Sequence, residues 1–447
     1  MSLPDAVSRL DDRSPRGVAG AFARLIADGD LAPGERLPTV REVAAGLGVS
    51  PATVSEAWQA LQRAGLVVAR GRAGTFVHET PRAWLSPRLR GLRGDAVTDD
   101  VRLDLSRGTP DPELLPDLAP ALGRVAIRAG TGSYQDEPVL PGLDDALRAL
   151  WPTPPEALTV VDGGQDGVER TLAELVSYGD RVVLESPGYP PFLDLVESLG
   201  GRIVPVELDA EGVRVDSLRE ALATRPVAVV LQPRAQNPTG VCLSPERAER
   251  LARLLRRREH AGVLVIEDDH SALLSTAPEV TLSALLPGRV VHVRSLSKSH
   301  GPDLRVAGLS APTALVDRLV ARRMLGPGWT SRMVQTIVLD LLTSPSSRDQ
   351  VAAARTAYAA RQERLVAALG AHGVRLAQPD GINLWLPVAD EQAAQLDLAA
   401  AGLRVAAGST FLAPGHAPGA FVRVTAGRVP ESEADGVAAA LAHAAGA

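Results

Sequence analysis

The sequence predicts two unlike parts, a small N-terminal unit of three helices closed by a β-hairpin and a large α/β domain with a parallel sheet. Within the first 78 residues, three helical periodicities are followed by two short runs of β-forming residues around a Gly-rich turn. From residue 104 onward, short apolar runs alternate with helical stretches, which is the pattern of parallel strands joined by helices.

The N-terminal unit has recognisable helix boundaries. A first helix is predicted over residues 16–29 and a second, shorter one over 39–48, both from the spacing of apolar side chains. Ser50 is a suitable N-cap and Pro51 a suitable first residue for the third helix. The runs LVVAR and TFVH around GRAG predict a two-stranded hairpin. Three helices followed by a hairpin form the layout of a winged helix-turn-helix, predicted over residues 1–78.

A winged helix-turn-helix binds DNA by placing the N-terminal end of its third helix in the major groove. On this layout, Ser50, Thr53 and Ser55 are the candidates for positions near base edges. Arginines of the second helix and the hairpin are candidates for phosphate contacts, namely Arg41, Arg70 and Arg72. A winged helix used only for protein contacts is the alternative interpretation.

Residues 79–103 are predicted to form a linker, because prolines and glycines stand among charges without a clear period. From Arg63 to Arg93 there are seven arginines and one acidic residue, Glu79. The whole chain carries a net charge of -6, so a nucleic-acid site must be a local patch, and this stretch is one candidate. A solvated charged linker explains the same composition equally well.

The large domain is predicted over residues 104–447, with a smaller α+β subdomain from about residue 345. A helix over residues 351–369 and short strands around INLWLPV and FVRVT indicate this subdomain. The main sheet is predicted from apolar runs separated by helical stretches, at residues 181–186, 202–208, 227–233, 262–269 and 289–295.

The composition is that of a folded protein with a substantial core. The chain has 447 residues, enough for two or three domains of about 150 residues each. Its 45% hydrophobic and 22% charged residues exclude a mainly disordered or collagen-like chain. No apolar run approaches ~18 residues, the N-terminal stretch lacks the apolar core of a secretory signal, and Cys242 is the single cysteine. These features predict a cytoplasmic protein without a transmembrane helix.

Lys298 is the only lysine among the 47 Lys and Arg residues of the chain. Where a positive charge alone was needed, arginine occupies the position. A lysine amine can lose its proton and attack a carbonyl to form an imine, whereas a guanidinium group stays charged. The single exception therefore indicates that the chemistry of an amine is required at this position.

Lys298 belongs to a series of short motifs along the large domain. Each motif alone is weak, because a turn, a cap or a packed side chain explains it. Their order and spacing together are specific: SYQDEP, DGGQDGV, SPGYPPF, QNPTG, VIEDDH, SLSK followed by Arg305, and FVRVT. A glycine-bearing turn that opens a helix, as in DGGQDGV, suits an anion held by backbone amides.

These residues carry two family resemblances. The segment from GERLPTVREVAAGLG to RGRAGTFV resembles the DNA-binding domain of GntR-superfamily regulators, although Pro51, Ser55 and Glu56 stand where that family often has basic residues. From about residue 104 to the end, the chain resembles the fold-type I aminotransferases, which use pyridoxal 5'-phosphate (PLP). A fold of this type that no longer binds the cofactor is the alternative for the second half.

The second resemblance implies a role for each motif residue. Lys298 would form a Schiff base with PLP, Asp268 would pair with the pyridine nitrogen, and Asn237 would hydrogen-bond the phenolic oxygen. Tyr189 would stack on the ring, and Arg423 would bind a carboxylate of a substrate or effector. His270 stands where this fold usually has a tyrosine that bonds the phenolic oxygen; it would bind the cofactor through an N–H, and the exchange argues against fast transamination. The phosphate would be held by Gly164, Gln165, Ser295, Ser297 and Arg305, with Tyr134 reaching from a partner subunit.

Together, the two halves resemble the MocR-type subfamily of GntR regulators over the whole chain. This resemblance implies a homodimeric, PLP-dependent transcriptional regulator that binds an operator in double-stranded DNA and senses PLP or an amino compound as an aldimine. A catalytically active aminotransferase with an appended DNA-binding domain is the alternative, and the PLP residues do not separate the two. Met324, Trp329 and Asn383 are expected either to line the effector pocket or to belong to the core.

Overall fold

A computed structural model describes residues 13–27, 30–63, 66–77, 86–93, 101–128, 132–416 and 419–446. The chain divides into two compact units, the first made chiefly of residues up to Ser86 and the second of most residues from Pro87 onward. Every helix in the described ranges is too short or too polar to span a lipid bilayer.

The first unit contains three helices and a hairpin in the predicted order. The helices are α1 (Pro15–Ala27), α2 (Val40–Leu47) and α3 (Pro51–Arg63), and the hairpin strands are β1 (Val67–Ala69) and β2 (Thr75–Val77). All five lie within two residues of the predicted positions. Apolar side chains from every element form one core, in which the rings of Phe22 and Trp58 meet edge to face at 4.6 Å.

Local hydrogen bonds define both ends of the turn between α2 and α3. Thr39 and Glu42 form a capping box, in which the backbone N–H of each residue donates to the side chain of the other. Gly48 ends α2 in the left-handed conformation, with φ of 64°. The Ser50 Oγ accepts a hydrogen bond of 3.1 Å from the Thr53 N–H, which confirms Ser50 as the N-cap of α3.

The hairpin is antiparallel, and Val67 pairs with Val77. Its turn requires glycine at Gly74, because φ is 110° there and a Cβ would lie 2.8 Å from Nε of Arg36. The guanidinium of Arg70 lies 4.9 Å from the centre of the Phe76 ring. A backbone bridge between Arg36 and Phe76 joins the hairpin to the connector before α2.

A seven-stranded sheet forms the centre of the second unit, with strand order β4, β12, β11, β10, β9, β5, β6. Strands β10, β11, β9 and β5 run parallel to their neighbours within this set, and β12 is antiparallel to both β11 and β4. All five predicted strands are present. The seven strands are β4 (Ala157–Val161), β5 (Arg181–Glu185), β6 (Arg202–Val206), β9 (Ala228–Leu231), β10 (Leu264–Asp269), β11 (Val290–Ser295) and β12 (Ala307–Ala311).

Helices alternate with these strands along the chain. Residues 244–259, for example, form a helix over Pro245–Leu255 and a short 3-10 turn over Arg258–His260. The helices are α5 (Ala119–Arg128), α6 (Pro141–Arg148), α7 (Gly164–Leu175), α8 (Pro190–Ser198), α9 (Val215–Ala223), α10 (Pro245–Leu255), α11 (Ser297–His300), α12 (Thr313–Met324) and α13 (Arg332–Thr343). A small hairpin is formed by β7 (Leu208–Asp209) and β8 (Gly212–Val213).

The range predicted as an irregular linker contains regular structure. Helix α4 (Pro87–Arg93) packs against the segment from Ala406 to Phe411. The short strand β3 (Leu103–Asp104) pairs in parallel with β14 (Leu403–Arg404). Strand pairing within the large domain therefore begins at Leu103, one residue before the boundary predicted at residue 104. Seven residues are too few for a visible helical period, and such a short helix depends on the surface against which it packs.

The C-terminal part has its own three-stranded sheet, formed by β13 (Leu384–Val388), β16 (Ala420–Val424) and β15 (Ala406–Ala407). Helices α15 (Glu391–Ala400) and α16 (Ala434–Ala445) pack with this sheet around one apolar core. Helix α14 (Pro345–Ala371) belongs to two cores, since its first half packs near Leu274 and its second half joins the core of the small sheet.

Candidate functional site

The ends of two neighbouring parallel strands bring the main motif residues together. Asp268 is the penultimate residue of β10, and Ser295 is the last residue of β11. Lys298 follows on the short helix Ser297–His300. The carboxyl ends of parallel strands meet at the same edge of a sheet, which is where ligands bind in open α/β folds.

Lys298 places its amine against the first segment of the large domain. Its Nζ donates a hydrogen bond to the carbonyl oxygen of Gly108. Burial and, to a smaller extent, the positive charge of Arg423 lower the pKa of this amine to about 8, although Asp268 acts in the opposite direction. A substantial neutral fraction of the amine is therefore present near neutral pH, as attack on a carbonyl requires.

The carboxylate of Asp268 is half satisfied. Its Oδ2 accepts a hydrogen bond of 2.7 Å from Nε2 of Gln232, whereas its Oδ1 is buried and has no hydrogen-bond partner in the structure. Burial raises the pKa of Asp268 to about 6. A Cβ at Gly164 would lie 3.1 Å from Oδ1, so glycine leaves this oxygen facing a space that any other residue would narrow.

A cradle for an anion lies beside Asp268. Helix α7 begins at Gly164, directly after Gly163 in a positive-φ conformation (95°), and its first backbone N–H groups have no partner within the helix. Ser297 N–H donates to Ser295 Oγ at 3.3 Å. The Arg305 guanidinium covers Gly163, where a Cβ would lie 2.7 Å from Cζ. Gln165 is exposed, so its backbone N–H is the group that it offers to this cradle.

Arg423 is a buried cation without a carboxylate partner. Its residue is 2% exposed, and within the described ranges no acidic side chain lies at ion-pair distance from it. It donates to the carbonyl oxygen of Ser106 and, at 3.3 Å, to Oδ1 of Asn237, while its Nε has no partner. Burial lowers its pKa to about 10. The negative charge of Asp104 raises the pKa of Arg423 without forming an ion pair with it, so this buried guanidinium would gain from an anionic ligand at hydrogen-bond distance.

The amide of Asn237 is oriented by its neighbours. Its Oδ1 accepts from Arg423 and, at 3.4 Å, from Nδ2 of Asn383, and its backbone N–H donates to Oε1 of Gln232 at 2.8 Å. Nδ2 of Asn237 is thereby left as the outward donor of the group. Of the three residues expected at either the pocket or the core, Asn383 lies at the site, and Met324 is 42% exposed.

Two aromatic motif residues have different surroundings. The ring of Tyr189 meets Phe192 edge to face at 5.1 Å, and burial raises the pKa of its hydroxyl to about 12. Nε2 of His270 lies 3.0 Å from the Ala235 carbonyl oxygen, which only accepts, so this nitrogen carries the proton. Nδ1 of His270 then accepts from the Ser271 hydroxyl at 3.1 Å. Burial lowers the pKa of His270 to about 4, so the ring is neutral and its N–H is already engaged.

Tyr134 does not join the other motif residues within one chain. Its side chain is 89% exposed, and its ring lies 6.4 Å from that of Trp329. The expected role of Tyr134 toward a partner subunit therefore stays a prediction.

The residues predicted to contact DNA lie in the first unit. Arg41 and Arg70 are exposed, Ser50 is exposed at the start of α3, and Thr53 and Ser55 are half-buried on its first turn and a half. Arg72 lies in the 3-10 turn of the hairpin, and its side chain falls outside the described part of the structure.

The residues of the large-domain site fit PLP. The unpartnered Oδ1 of Asp268 suits a protonated ring nitrogen, and the cradle at Gly164 suits a phosphate. Lys298 supplies a partly neutral amine for an aldehyde. These three features are independent, and each matches a different part of the cofactor.

Comparison with known families assigns both parts of the chain. Residues 16–77 match bacterial regulatory proteins of the gntR family, and residues 101–441 match aminotransferase class I and II. The vitamin B6 salvage pathway transcriptional repressor PtsJ of Salmonella typhimurium is 36% identical over 437 residues, covering 96% of this chain and 98% of PtsJ. The chain belongs to the MocR-type subfamily of GntR regulators.

Two further comparisons agree with a MocR-type chain. The HTH-type transcriptional regulator TauR of Rhodobacter capsulatus is 31% identical, covering 92% of this chain and 93% of TauR. The structure of an archaeal alanine:glyoxylate aminotransferase has a TM-score of 0.71 and 23% identity, covering 81% of this chain and 98% of that one. This second likeness shows that the large domain of the MocR-type chain has the aminotransferase fold.

Sequence reasoning missed two buried residues of this MocR-type site. Gln232 bonds both Asp268 and Asn237, as described above. Arg323 pairs with Asp162 at 2.9 Å and donates to the Val160 carbonyl at 2.6 Å, which holds the end of β4 just before Gly163. In a chain whose cations are almost all arginine, nothing in the sequence distinguishes Arg323 from an arginine on the surface.

Proposed function

We propose that the chain is a DNA-binding regulator whose large domain binds PLP through Lys298 and senses an amino compound that carries a carboxylate. The observation that carries this proposal is the placement of the only lysine. Its partly neutral amine shares one buried site with an unpartnered carboxylate oxygen of Asp268 and with Arg423, a guanidinium without an acidic partner.

The resemblance to fold-type I aminotransferases assigns the residues that would hold PLP, and the geometry of Lys298, Asp268 and Gly164 supports this assignment. Asp268 would bond the ring nitrogen through Oδ1, and Asn237 would donate from Nδ2 to the phenolic oxygen. Tyr189 would cover one face of the ring. When bound, PLP supplies an aldehyde that reacts reversibly with amines and a ring that withdraws electrons from them. The phosphate would lie among the backbone amides of Gly164 and Gln165 and the side chains of Ser295, Ser297 and Arg305.

The effector class follows from Arg423. A guanidinium binds a carboxylate through two parallel hydrogen bonds, and the bond is strengthened when both groups leave water. An amine group on the same molecule would reach the aldehyde carbon beside Lys298. An amino acid or a related amino carboxylate combines both groups, whereas a simple amine offers only one of them.

A route from the site toward the DNA-binding unit follows from two carbonyl groups. Arg423 donates to the carbonyl oxygen of Ser106, and Lys298 donates to that of Gly108. One short segment, residues 106–108, therefore holds both side chains. A ligand that takes both cations must release this segment. The segment follows β3 and the range 79–103, through which the chain reaches the winged helix. Ligand binding would thus favour one arrangement of this connection over another.

A second copy of the chain would complete the assembly. Among the described residues of the second unit, five large apolar side chains are more than half exposed, namely Leu122 (53%), Tyr134 (89%), Leu325 (91%), Met333 (52%) and Leu396 (72%). Those that lie together in one patch would be covered by a second copy. In a homodimer, Tyr134 would reach the phosphate site of the partner, and two winged helices would meet two half-sites of an operator in the cytoplasm.

The same residues also suit an aminotransferase, so the decisive experiment measures binding and turnover together. Purified protein is mixed with PLP, and its visible absorbance band is recorded for the wild type and for Lys298→Ala. A panel of amino acids is then added with a keto-acid acceptor. Keto-acid production and binding to a DNA fragment from the chain's own promoter region are followed in parallel.

We expect a visible band that requires Lys298, a spectral change with one class of amino acid, and altered DNA binding without repeated turnover. Sustained production of keto acid through many cycles would favour the aminotransferase. No band in the wild type would overturn PLP binding, and the chain would then retain only its family assignment as a DNA-binding regulator.

A further inference from the structure

Gln232 connects the two groups that would contact the nitrogen and the phenolic oxygen of the PLP ring. It directly follows β9 and is 5% exposed. Its Nε2 donates to Oδ2 of Asp268 at 2.7 Å, and its Oε1 accepts from the backbone N–H of Asn237 at 2.8 Å. One amide thus holds the carboxylate at the end of β10 and the loop that carries Asn237.

The backbone of Gln232 is itself anchored. Its N–H donates to Oε2 of Glu185 at 3.1 Å, and Nε2 of Gln236 donates to the same oxygen at 3.2 Å. Glu185 ends β5, which pairs with β9. The backbone of Gln232 is therefore held by a neighbouring strand, which fixes the point from which its side chain reaches Asp268.

The contact decides which oxygen of Asp268 is available. A carboxylate rotates about its last side-chain bond over a broad range unless one oxygen is held. Gln232 holds Oδ2, and Oδ1 is left as the buried oxygen without a partner. The donor is also neutral, so it orients the carboxylate without cancelling its charge, as an arginine or lysine would.

We propose that Gln232 is a positioning residue. It aims Oδ1 of Asp268 at the ring nitrogen of PLP, and it holds the backbone of Asn237 at a fixed position relative to Asp268. This inference rests on the proposed function, because it concerns the same cofactor. The charged or titratable groups that interact with Asp268 are Asp269, Lys298, His292, Glu185 and Tyr189. Of the residues named here, Gln232 is the one that donates a hydrogen bond to its carboxylate.

The test compares two buried glutamines. Gln232→Met keeps the length and burial of the side chain and removes both hydrogen bonds of its amide. Gln335→Met is the matched control, because this buried glutamine bonds the Pro138 and Thr330 carbonyls and the Leu140 N–H, and none of these bonds reaches Asp268 or Gln232. PLP affinity and the pH midpoint of the visible band are measured for both variants and the wild type.

We expect Gln232→Met to weaken PLP binding by about 10-fold or more, since a hydrogen bond to a charged group is lost. We expect it to shift the pH midpoint of the band by about one unit, since the carboxylate near the ring nitrogen is no longer oriented. The control should change neither quantity by more than about 2-fold or a few tenths of a unit. A residue that only supports the fold would lower stability in both variants and leave the midpoint unchanged.

A second variant separates the two bonds of the amide. Gln232→Glu keeps an acceptor for the Asn237 N–H and loses the donor to Asp268. We expect its midpoint shift to equal or exceed that of Gln232→Met, because two carboxylates then compete for one proton. Equal affinities and equal midpoints in all three variants and the wild type would overturn the inference.

A measurement without PLP keeps the outcome separate from the proposed function. Burial raises the pKa of Asp268 in the folded chain above its value in the unfolded chain. The free energy of unfolding therefore falls as the pH rises from the unfolded-state pKa to the folded-state pKa. Loss of the Gln232 donor should extend that decline to higher pH in denaturant unfolding, but not in an Asp268→Asn background. If this result is obtained and the wild type binds no PLP, the proposed function fails, but the effect of the Gln232 hydrogen bond on Asp268 is retained. If PLP binds equally to all variants, the inference fails alone.

Discussion

The Nζ amine of Lys298 donates its hydrogen bond to the carbonyl oxygen of Gly108, 190 residues earlier in the chain. Gly108 also donates its N–H to the Thr425 hydroxyl at 2.8 Å, and a Cβ on Gly108 would lie 2.7 Å from Nη1 of Arg423. The first segment of the large domain thus contacts both Lys298 and Arg423. This arrangement makes Gly108 a sensitive position for the coupling proposed above.

Gly108→Ala is expected to impair effector binding and the response of DNA binding to the effector. The added Cβ would push Arg423, and φ at this position is +60°, which is strained for alanine. Gly288→Ala is the control, because φ is +73° there and nothing lies within 4 Å of its Cβ. Effector titrations and DNA-binding assays on both variants check the prediction, and an equal response in the two would contradict it.

The rate at which Lys298 captures PLP should follow the neutral fraction of its amine. With a pKa of about 8, the rate should rise by about 10-fold between about pH 7 and about pH 9 and then level off. For a lysine with an ordinary pKa, the rate of PLP capture would keep rising above about pH 9 instead of levelling off there. Stopped-flow absorbance provides the rates, and a free lysine derivative serves as reference for the ionisation of the aldehyde itself.

Arg423→Lys should weaken binding of amino carboxylates by about 10-fold or more, because lysine keeps the charge and loses the two-pronged contact. The matching amine without a carboxylate should bind equally to the variant and the wild type. Arg428→Lys is the control, since Arg428 donates to the Pro110 carbonyl outside the site. Spectral titration with both ligands checks this prediction, and equal losses for both would refute the role of Arg423.

Arg41→Ala and Arg70→Ala should each weaken DNA binding at low salt. Each substitution should also reduce the slope of log affinity against log salt concentration by about 1, as expected for one lost phosphate contact. Arg348→Ala, at an exposed position of the large domain, is the control and should leave the slope unchanged. Fluorescence anisotropy over a range of salt concentrations measures the slopes.

Glu185→Gln should stabilise the unliganded chain increasingly as pH rises. Burial raises the pKa of Glu185 to about 8, so the folded state retains a proton that the unfolded state has lost, and stability falls between about pH 4.5 and that value. Glutamine removes this dependence and still accepts a hydrogen bond. Denaturant unfolding at about pH 5 and about pH 9 should show the gain of the variant growing by at least about 1 kcal/mol. An equal gain at both pH values would show that Glu185 does not carry the raised pKa.

Local patterns were sufficient to predict most elements. Ser50 caps α3 as predicted, because a short hydroxyl side chain before a proline is a strong local signal. Four of the five predicted strands, β5, β9, β10 and β11, were predictable because their apolar runs are buried on both faces, whereas β6 is only half-buried and was predictable from its β-forming residues. Helix α4 was missed within residues 79–103, since a helix of seven residues depends on packing rather than on its own periodicity.

The candidate site was predictable to the level of motifs, but its hydrogen bonds were not. His270 was expected to offer an N–H to the cofactor in place of tyrosine, and the structure directs that N–H to the Ala235 carbonyl. Gln232 carries no signal in the sequence, because its role arises only when β9 and β10 lie side by side. Tyr134 remains a prediction, since its partner would be another copy of the chain.

The single lysine also makes the site readable by proteolysis. Trypsin cleaves after lysine and arginine, and Lys298 lies between Arg294 and Arg305. A free Lys298 therefore produces two short fragments, residues 295–298 and 299–305. If borohydride reduction locks a pyridoxyl group onto the amine, cleavage at this position is blocked and residues 295–305 are released as one peptide. The ratio of these fragments in a mass spectrum would report the occupancy of the site, even in protein taken directly from cells.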